Sequence, residues 1–429
     1  MLFKDITILN NKMDVETHMY VGVDQDKIKY IGKEMPEENF GEEYNGKGKL
    51  LMAGFYNSHA HSPMALMRGY GENLVLQDWL NKKIFPFEGK LDGNAVYWGT
   101  LLSMAESIRF GIVSSTDMYY FVEDMAKAVA DSGAKNNISR SIVNFAGEDL
   151  FKMDSMIEMQ QAVKNIHNTQ NGKILIDASL HGEYTSDEKT ARALAEYTKD
   201  IGLNMHVHVS ETKLEHEECK ERHNGLTPVQ YLNKCGIFDT HTVAAHCVWV
   251  EGEDFDIIKE KDVTVASNPI SNLKLASGIC NVPKLLSMGV NVALGTDSVA
   301  SNNSLNFLEE VKAVALLAKE KSKDPTVVTP KEAIVAATYG GAYGQGRMDC
   351  GKMQEGYKAD LIVLDINQPN MFPVHNLLNN IVYSASGSDI VLTMVDGKVL
   401  YKDGEYMTID LEKTIFEANK ATRKILEQL

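Results

Sequence analysis

Two histidines one residue apart, His59 and His61, close the segment Asn57-Ser58-His59-Ala60-His61. In an extended chain, residues two apart share a face, so this pair can grip one ion. The segment His206-Val207-His208-Val209-Ser210-Glu211 repeats the pattern. Alternation puts His206 and His208 on one side, and Glu211 falls just beyond, where a carboxylate can reach into a pocket. Two more apolar runs carry one group each: His246 in Ala244-Ala245-His246-Cys247 and Asp297 in Leu294-Gly295-Thr296-Asp297-Ser298. Singly, each has an ordinary account, a hydrogen-bonded core histidine or an aspartate that caps a turn. Jointly, four run ends offer metal-type ligands, and every ordinary account would have to hold at once.

Neutral imidazole and carboxylate suit zinc or iron, and a site with an open position keeps a water. Such an ion lowers the pKa of that water from about 15.7 to roughly 7. The chemistry still needs a proton acceptor and a donor for the leaving group, and Asp297 and Glu211 are placed for those tasks. The residues therefore read as a hydrolase with one divalent ion, held mainly by His59, His61, His208 and His246 with Asp297, acting on a small aromatic substrate.

These groups need elements that bring them to one place. Eight short apolar runs recur through the middle of the chain: Leu50–Asn57, Ile112–Asp117, Ile138–Phe145, Ile174–Leu180, Leu203–Val209, Thr242–Trp249, Val263–Ser267 and Val292–Leu294. Amphipathic stretches such as Ala95–Phe110, Asp187–Ile201 and Leu305–Lys321 lie between them. Buried strands alternating with helices predict an α/β chain with a closed (β/α)8 TIM barrel, whose chemistry sits at the C-terminal strand ends. Residues 50–356 form this expected barrel. Ile6–Leu9, Met19–Val23 and Lys27–Ile31 are β-rich, as are Ala359–Asp365 and Val391–Tyr401. Residues 1–49 and 357–429 are thus expected to form a small composite β-sheet domain, with Leu411–Leu429 as a surface helix.

Composition narrows the class of partner. Lys and Arg total 43 against 59 Asp and Glu, a net charge of −16. That balance argues against nucleic-acid binding and against an anionic membrane surface. No apolar run approaches the ~18 residues a membrane helix needs. The N-terminus lacks a signal pattern, and the five cysteines contain no C-x-x-C pair, so the expectation is a cytoplasmic protein with reduced thiols.

The motifs also resemble a known family. His59-Ala60-His61, His208-x-x-Glu211, His246 and Gly295-Thr296-Asp297 look like the metal-site set of the amidohydrolase superfamily, in its mononuclear deaminase branch. The runs Met67-Arg68-Gly69-Tyr70, Asp78-Trp79-Leu80, Phe85–Leu91, Ser267–Leu275, Ser301–Asn306, Phe372-Pro373-Val374 and Tyr383–Gly387 are similar to the 5′-methylthioadenosine/S-adenosylhomocysteine deaminases. The resemblance implies one divalent ion, Zn²⁺ or Fe²⁺, on His59, His61, His208 and Asp297. It implies that His246 holds the attacking water, Asp297 takes its proton and Glu211 protonates a purine ring nitrogen. It also implies that Glu88 binds ribose hydroxyls, His181 contacts the purine and Arg140 lies near the 5′ substituent, in a homodimer or homotetramer. Trp79 is expected in the core rather than against substrate.

The chain departs from the family pattern at two places. Asn144–Leu150 lacks the arginine that would hold a homocysteine carboxylate and carries Glu148 and Asp149. This favours a small 5′ group, as in 5′-methylthioadenosine or 5′-deoxyadenosine, over S-adenosylhomocysteine. Gly182-Glu183 follows His181 where a small residue and proline are usual. The alternatives are a triazine chlorohydrolase or a guanine or other heterocycle deaminase on the same scaffold, and a metal-retaining barrel without activity.

Overall fold

The computed structural model describes residues 1–429, apart from the side chain of Leu76. The chain opens with five strands: β1 (Leu2–Leu9), β2 (Val15–Asp24), β3 (Lys27–Gly32), β4 (Glu43–Asn45) and β5 (Lys49–Ala53). Eight follow: β6 (Phe55–Ala60), β7 (Ile112–Met118), β8 (Lys135–Ile142), β9 (Ile174–Leu180), β10 (Met205–Val209), β11 (Thr242–His246), β12 (Thr264–Ser267) and β13 (Val292–Leu294). The last four are β14 (Leu361–Asp365), β15 (Ile390–Val395), β16 (Lys398–Lys402) and β17 (Glu405–Tyr406).

Strands β6 to β13 pair in parallel and in chain order. Ala60 bridges Asp297 at the join between first and last strand, where the Asp297 N–H donates to the His59 carbonyl at 2.9 Å. This is the expected (β/α)8 barrel. Every residue of β6, β7 and β10 to β13 is buried, because helices cover the outside and side chains fill the inside. The helices start where short polar side chains can cap them. Asp92 accepts from the Ala95 N–H ahead of Gly93–Arg109, and Asp187 from Thr190 ahead of Glu188–Ile201. Strands β1 to β5 and β14 to β17 form one nine-stranded mixed sheet built from both termini.

Several strand limits differ from the expectation, and two of them bear on how the sheets join. The run Leu50–Asn57 is two strands, since Lys49–Ala53 pairs with β14 and β1 and only Phe55 onward enters the barrel. At Gly54 a Cβ would come within 2.4 Å of Val113, so the chain passes between the two sheets where a side chain has no room. On this pairing we propose Gly54, rather than residue 50, as the first junction between composite sheet and barrel. Strand β8 begins at Lys135 instead of Ile138 because its polar start is paired. Asn136 donates to Asp117 at 2.6 Å and Asn137 to Asp177 at 2.9 Å. The C-terminal helix, Leu411–Leu426, buries Ala418, Ala421 and Ile425 against the Gly93–Arg109 helix of the barrel. All five cysteines are free and buried. Among the described residues no helix is long and apolar enough to cross a membrane.

Lys135 also joins the two sheets. Its ammonium contacts the Asp360 carboxylate and lies 2.7 Å from Asp396, while the Tyr56 hydroxyl donates to Asp360 at 2.6 Å. Removing one member of a buried ion group strands the others. Lys135→Ala is therefore expected to lower the unfolding free energy by about 3–5 kcal/mol, read from urea titration. A loss under about 1 kcal/mol would show that the group does not couple the sheets.

Candidate active site

Strand ends β6, β10, β11 and β13 place His59, His61, His208, His246 and Asp297 around one point. The ligand atoms of His59, His61 and His208 lie within 4.8 Å of one another, as do those of His59, His246 and Asp297. Asp297 Oδ1 stands 3.5 Å from His59 Nε2 and 3.3 Å from His61 Nε2, and His208 Nε2 is 3.4 Å from His61 Nε2.

The other nitrogen of each ring explains why these atoms converge. His61 donates its Nδ1–H to the Met118 carbonyl at 2.7 Å, and His208 donates to the His181 carbonyl at 2.6 Å. A carbonyl only accepts, so both tautomers are fixed with the Nε2 lone pair free. His59 Nδ1 lies 2.9 Å from His206 Nε2. His206 shares the His208 face of β10, as alternation predicts, but it sits one layer deeper and orients His59. His59 Nε2 is buried with no hydrogen-bond partner, which is costly unless something occupies the gap. Burial holds His59 down to about 3 and His208 well below the usual imidazole range. Burial alone would raise Asp297, but His59 and His61 hold it well below the ordinary carboxylate value. Burial would lower His61, but the Asp297 carboxylate beside it raises it overall, so a divalent ion would displace that proton to reach neutral imidazoles and a charged carboxylate; the donor set fits one.

The surrounding loops fix these groups. Ser271 and Ser301 donate to Asp297 Oδ2 at 2.6 and 3.0 Å. His246 Nδ1 is 2.9 Å from Asn272 Oδ1 and 3.1 Å from Asn268 Nδ2. The shorter contact needs a protonated Nδ1, which turns the Nε2 lone pair toward Glu211, whose Oε2 is 3.8 Å away. Glu310 ties the two loops together by accepting from Asn302 and from the Ile270 N–H. Gly295 is required, since a Cβ there would fall 2.3 Å from Asn268 and 2.8 Å from His59. His246 and Asp297 themselves have left-handed φ of 74° and 57°. Strain of this kind in non-glycine residues clusters at functional sites.

A cavity opens over the cluster, lined by His61, Glu88, His181, His208, Glu211, His246 and Asp297. Trp79, expected in the core, is buried yet forms part of this wall, together with Tyr119, Tyr120 and Tyr184. Burial raises Glu211 above the ordinary carboxylate value, with Asp297 adding to the rise. Burial pushes Glu88 up to about 7. His181 keeps its place despite the altered sequence after it. Glu183 turns away to pair with Arg222 at 2.8 Å and His223 at 2.7 Å, and its neighbour Tyr184 packs edge-on to His181. Arg140 is the exception. It lines an adjoining cavity and pairs with Glu158 at 2.7 Å.

The amidohydrolase family profile matches residues 50–400. The chain is 40% identical over its whole length to a Dictyoglomus thermophilum protein, 99% of which is covered, named 5-methylthioadenosine/S-adenosylhomocysteine deaminase. It is 36% identical, over 98% of each chain, to a Methanocaldococcus jannaschii protein named 5′-deoxyadenosine deaminase. Its structure superposes with a TM-score of 0.93 and 26% identity on a zinc-bound adenosine deaminase from Xanthomonas campestris, covering 99% of this chain and 98% of that one. The chain belongs to the amidohydrolase family.

The role of His206 is open to test. Partners of metal-binding histidines typically contribute 10–100-fold to affinity. His206→Leu is expected to weaken divalent-ion binding by about that factor, in competition with a chromophoric chelator. Unchanged affinity would exclude His206 as the residue that orients His59.

Proposed function

We propose that this protein is a metal-dependent hydrolytic deaminase of adenosine-type nucleosides. It replaces the C6 amino group with oxygen and releases ammonia. The observation that carries the reading is one cavity that holds Glu211, His246 and Asp297 beside the ion-binding cluster and Glu88 in the same wall. The first group does hydrolysis at a ring carbon, and Glu88 offers two acceptor oxygens to a ribose diol. A free heterocycle has no use for Glu88. The names of the full-length relatives agree with this substrate class.

The bound ion, which we infer to be zinc from the imidazole and carboxylate donors, supplies the charge that makes water nucleophilic near neutral pH. His246 Nε2 accepts one O–H of that water and aims it at C6. Asp297 accepts the proton released as the C–O bond forms. Glu211, whose neutral form burial favours, gives its proton to the purine ring nitrogen, so the ring does not carry negative charge. The proton on Asp297 then passes to the exocyclic nitrogen, the C–N bond breaks and ammonia leaves, while the remaining O–H proton returns through His246 to Glu211 and C6 becomes a carbonyl. His181, a neutral ring held down to about 4 by burial, stands ready to contact the purine. We further propose that the protein works in the cytoplasm.

His246→Ala and Asp297→Ala are each expected to lower kcat by about 10²–10⁴-fold in ammonia release from 5′-methylthioadenosine, with circular dichroism unchanged. Near-normal turnover in Asp297→Ala would sink the proton path.

Glu88 gives a pH signature. Its carboxyl titrates at about 7 and accepts hydroxyl hydrogens best when charged, so it binds ribose above that pH and less well below. KM is expected to rise as pH falls through about 7, and the step should vanish in Glu88→Gln, which stays neutral throughout. Glu88→Ala should raise KM for nucleosides about tenfold, the scale of a lost charge-assisted hydrogen bond. No change in KM with any adenosine analogue would point to a free heterocycle instead.

A further inference from the structure

We propose that Glu158 sets the charge of the 5′ substituent that this site accepts. By neutralising Arg140 it selects nucleosides with an uncharged 5′ group over those whose 5′ group ends in a carboxylate. The inference rests on the adenosine reading above.

The adjoining cavity shares Phe85, Glu88 and Tyr120 with the main one and adds Phe121, Arg140 and Glu158. With the purine at Glu211 and the ribose diol at Glu88, the 5′ substituent is the remaining part of the nucleoside, and this annexe is the space that adjoins Glu88. Arg140 is the cation of the annexe, and Glu158 already pairs with its charge. Nε donates to Glu158 Oε2 at 2.7 Å, Nη1 donates to the Ser141 carbonyl at 3.0 Å, and the guanidinium lies over the Tyr120 ring at 4.6 Å.

Glu158 is held as firmly. Its second oxygen accepts from the Val122 N–H at 2.8 Å, so both carboxylate oxygens are engaged. Both side chains are largely shielded, at 17% and 31% exposed, and shielding keeps such a pair strong. A substrate carboxylate would need the charge of Arg140, which the Glu158 contact at Nε already compensates. It would also meet two carboxylates, Glu88 and Glu158, against one cation. An alkyl or thioether 5′ group meets Phe85, Phe121 and Tyr120 instead and displaces nothing.

The test compares ammonia release from 5′-deoxyadenosine and from an adenosine with a 5′-carboxyalkylthio group. The readout is the ratio of their kcat/KM values in wild type, E158Q and the E158Q/R140Q double variant. E158Q is expected to raise the carboxylate-to-neutral ratio about tenfold, mostly through KM, as one charge-assisted pair becomes available. The double variant should return the ratio to the wild-type level. An unchanged ratio in E158Q, or a gain that survives loss of Arg140, overturns the proposal. Ionic strength gives a second measurement on the unaltered protein, in case E158Q does not fold. Salt screens repulsion, so KM for the carboxylate-tailed substrate should fall as salt rises, and a KM that stays level or climbs overturns the proposal. Wild type that releases ammonia from neither nucleoside, yet does so from a free heterocycle, overturns the adenosine reading and the inference with it.

Discussion

Everything in this structure depends on lone pairs facing inward at one place. A histidine presents a chosen nitrogen to an ion when the hydrogen bond of the other fixes its tautomer and orientation. The Met118 and His181 carbonyls and the His206 ring make that commitment for His61, His208 and His59. Two of those partners are backbone groups at strand ends, so barrel closure and site formation are one event. The contact between Asp297 N–H and the His59 carbonyl makes this literal, because the hydrogen bond that joins last strand to first also sets the carboxylate beside the histidines.

Much of the fold could be read from the sequence, because a parallel barrel buries its strands on both faces and leaves short apolar runs between amphipathic helices. What escaped were places where polarity hid a strand or an apolar run concealed a break. Lys135, Asn136 and Asn137 look like a loop until their partners Asp360, Asp117 and Asp177 are known, and those lie far away in sequence. Leu50–Asn57 looks like one strand because both sheets want the same apolar residues on either side of Gly54.

The candidate site divides in the same way. His59, His61, His208, Glu211, His246 and Asp297 could be picked out because few residue types bind metals or move protons, and their spacing fits strand ends. Asn268, Asn272, Ser271, Ser301 and Glu310 act through hydrogen bonds to those residues, and no spacing rule marks them. The runs Ser267–Leu275 and Ser301–Asn306 stood out by family likeness alone, and the geometry supplies the reason: they lock His246 and Asp297. Trp79 read as core, and the cavity tyrosines carried no mark, because a wall aromatic and a core aromatic have the same sequence signal. Arg140 was legible as a charged residue near the site, but its pairing with Glu158 was not.

The central claim is that one ion, held by this cluster, is needed for the chemistry. The direct measurement is a titration of zinc into chelator-stripped protein, with ammonia release followed at each addition. Activity should start near zero, rise in proportion to added ion and stop at one equivalent per chain. Turnover without added ion, or a rise that continues to two equivalents, would contradict the account.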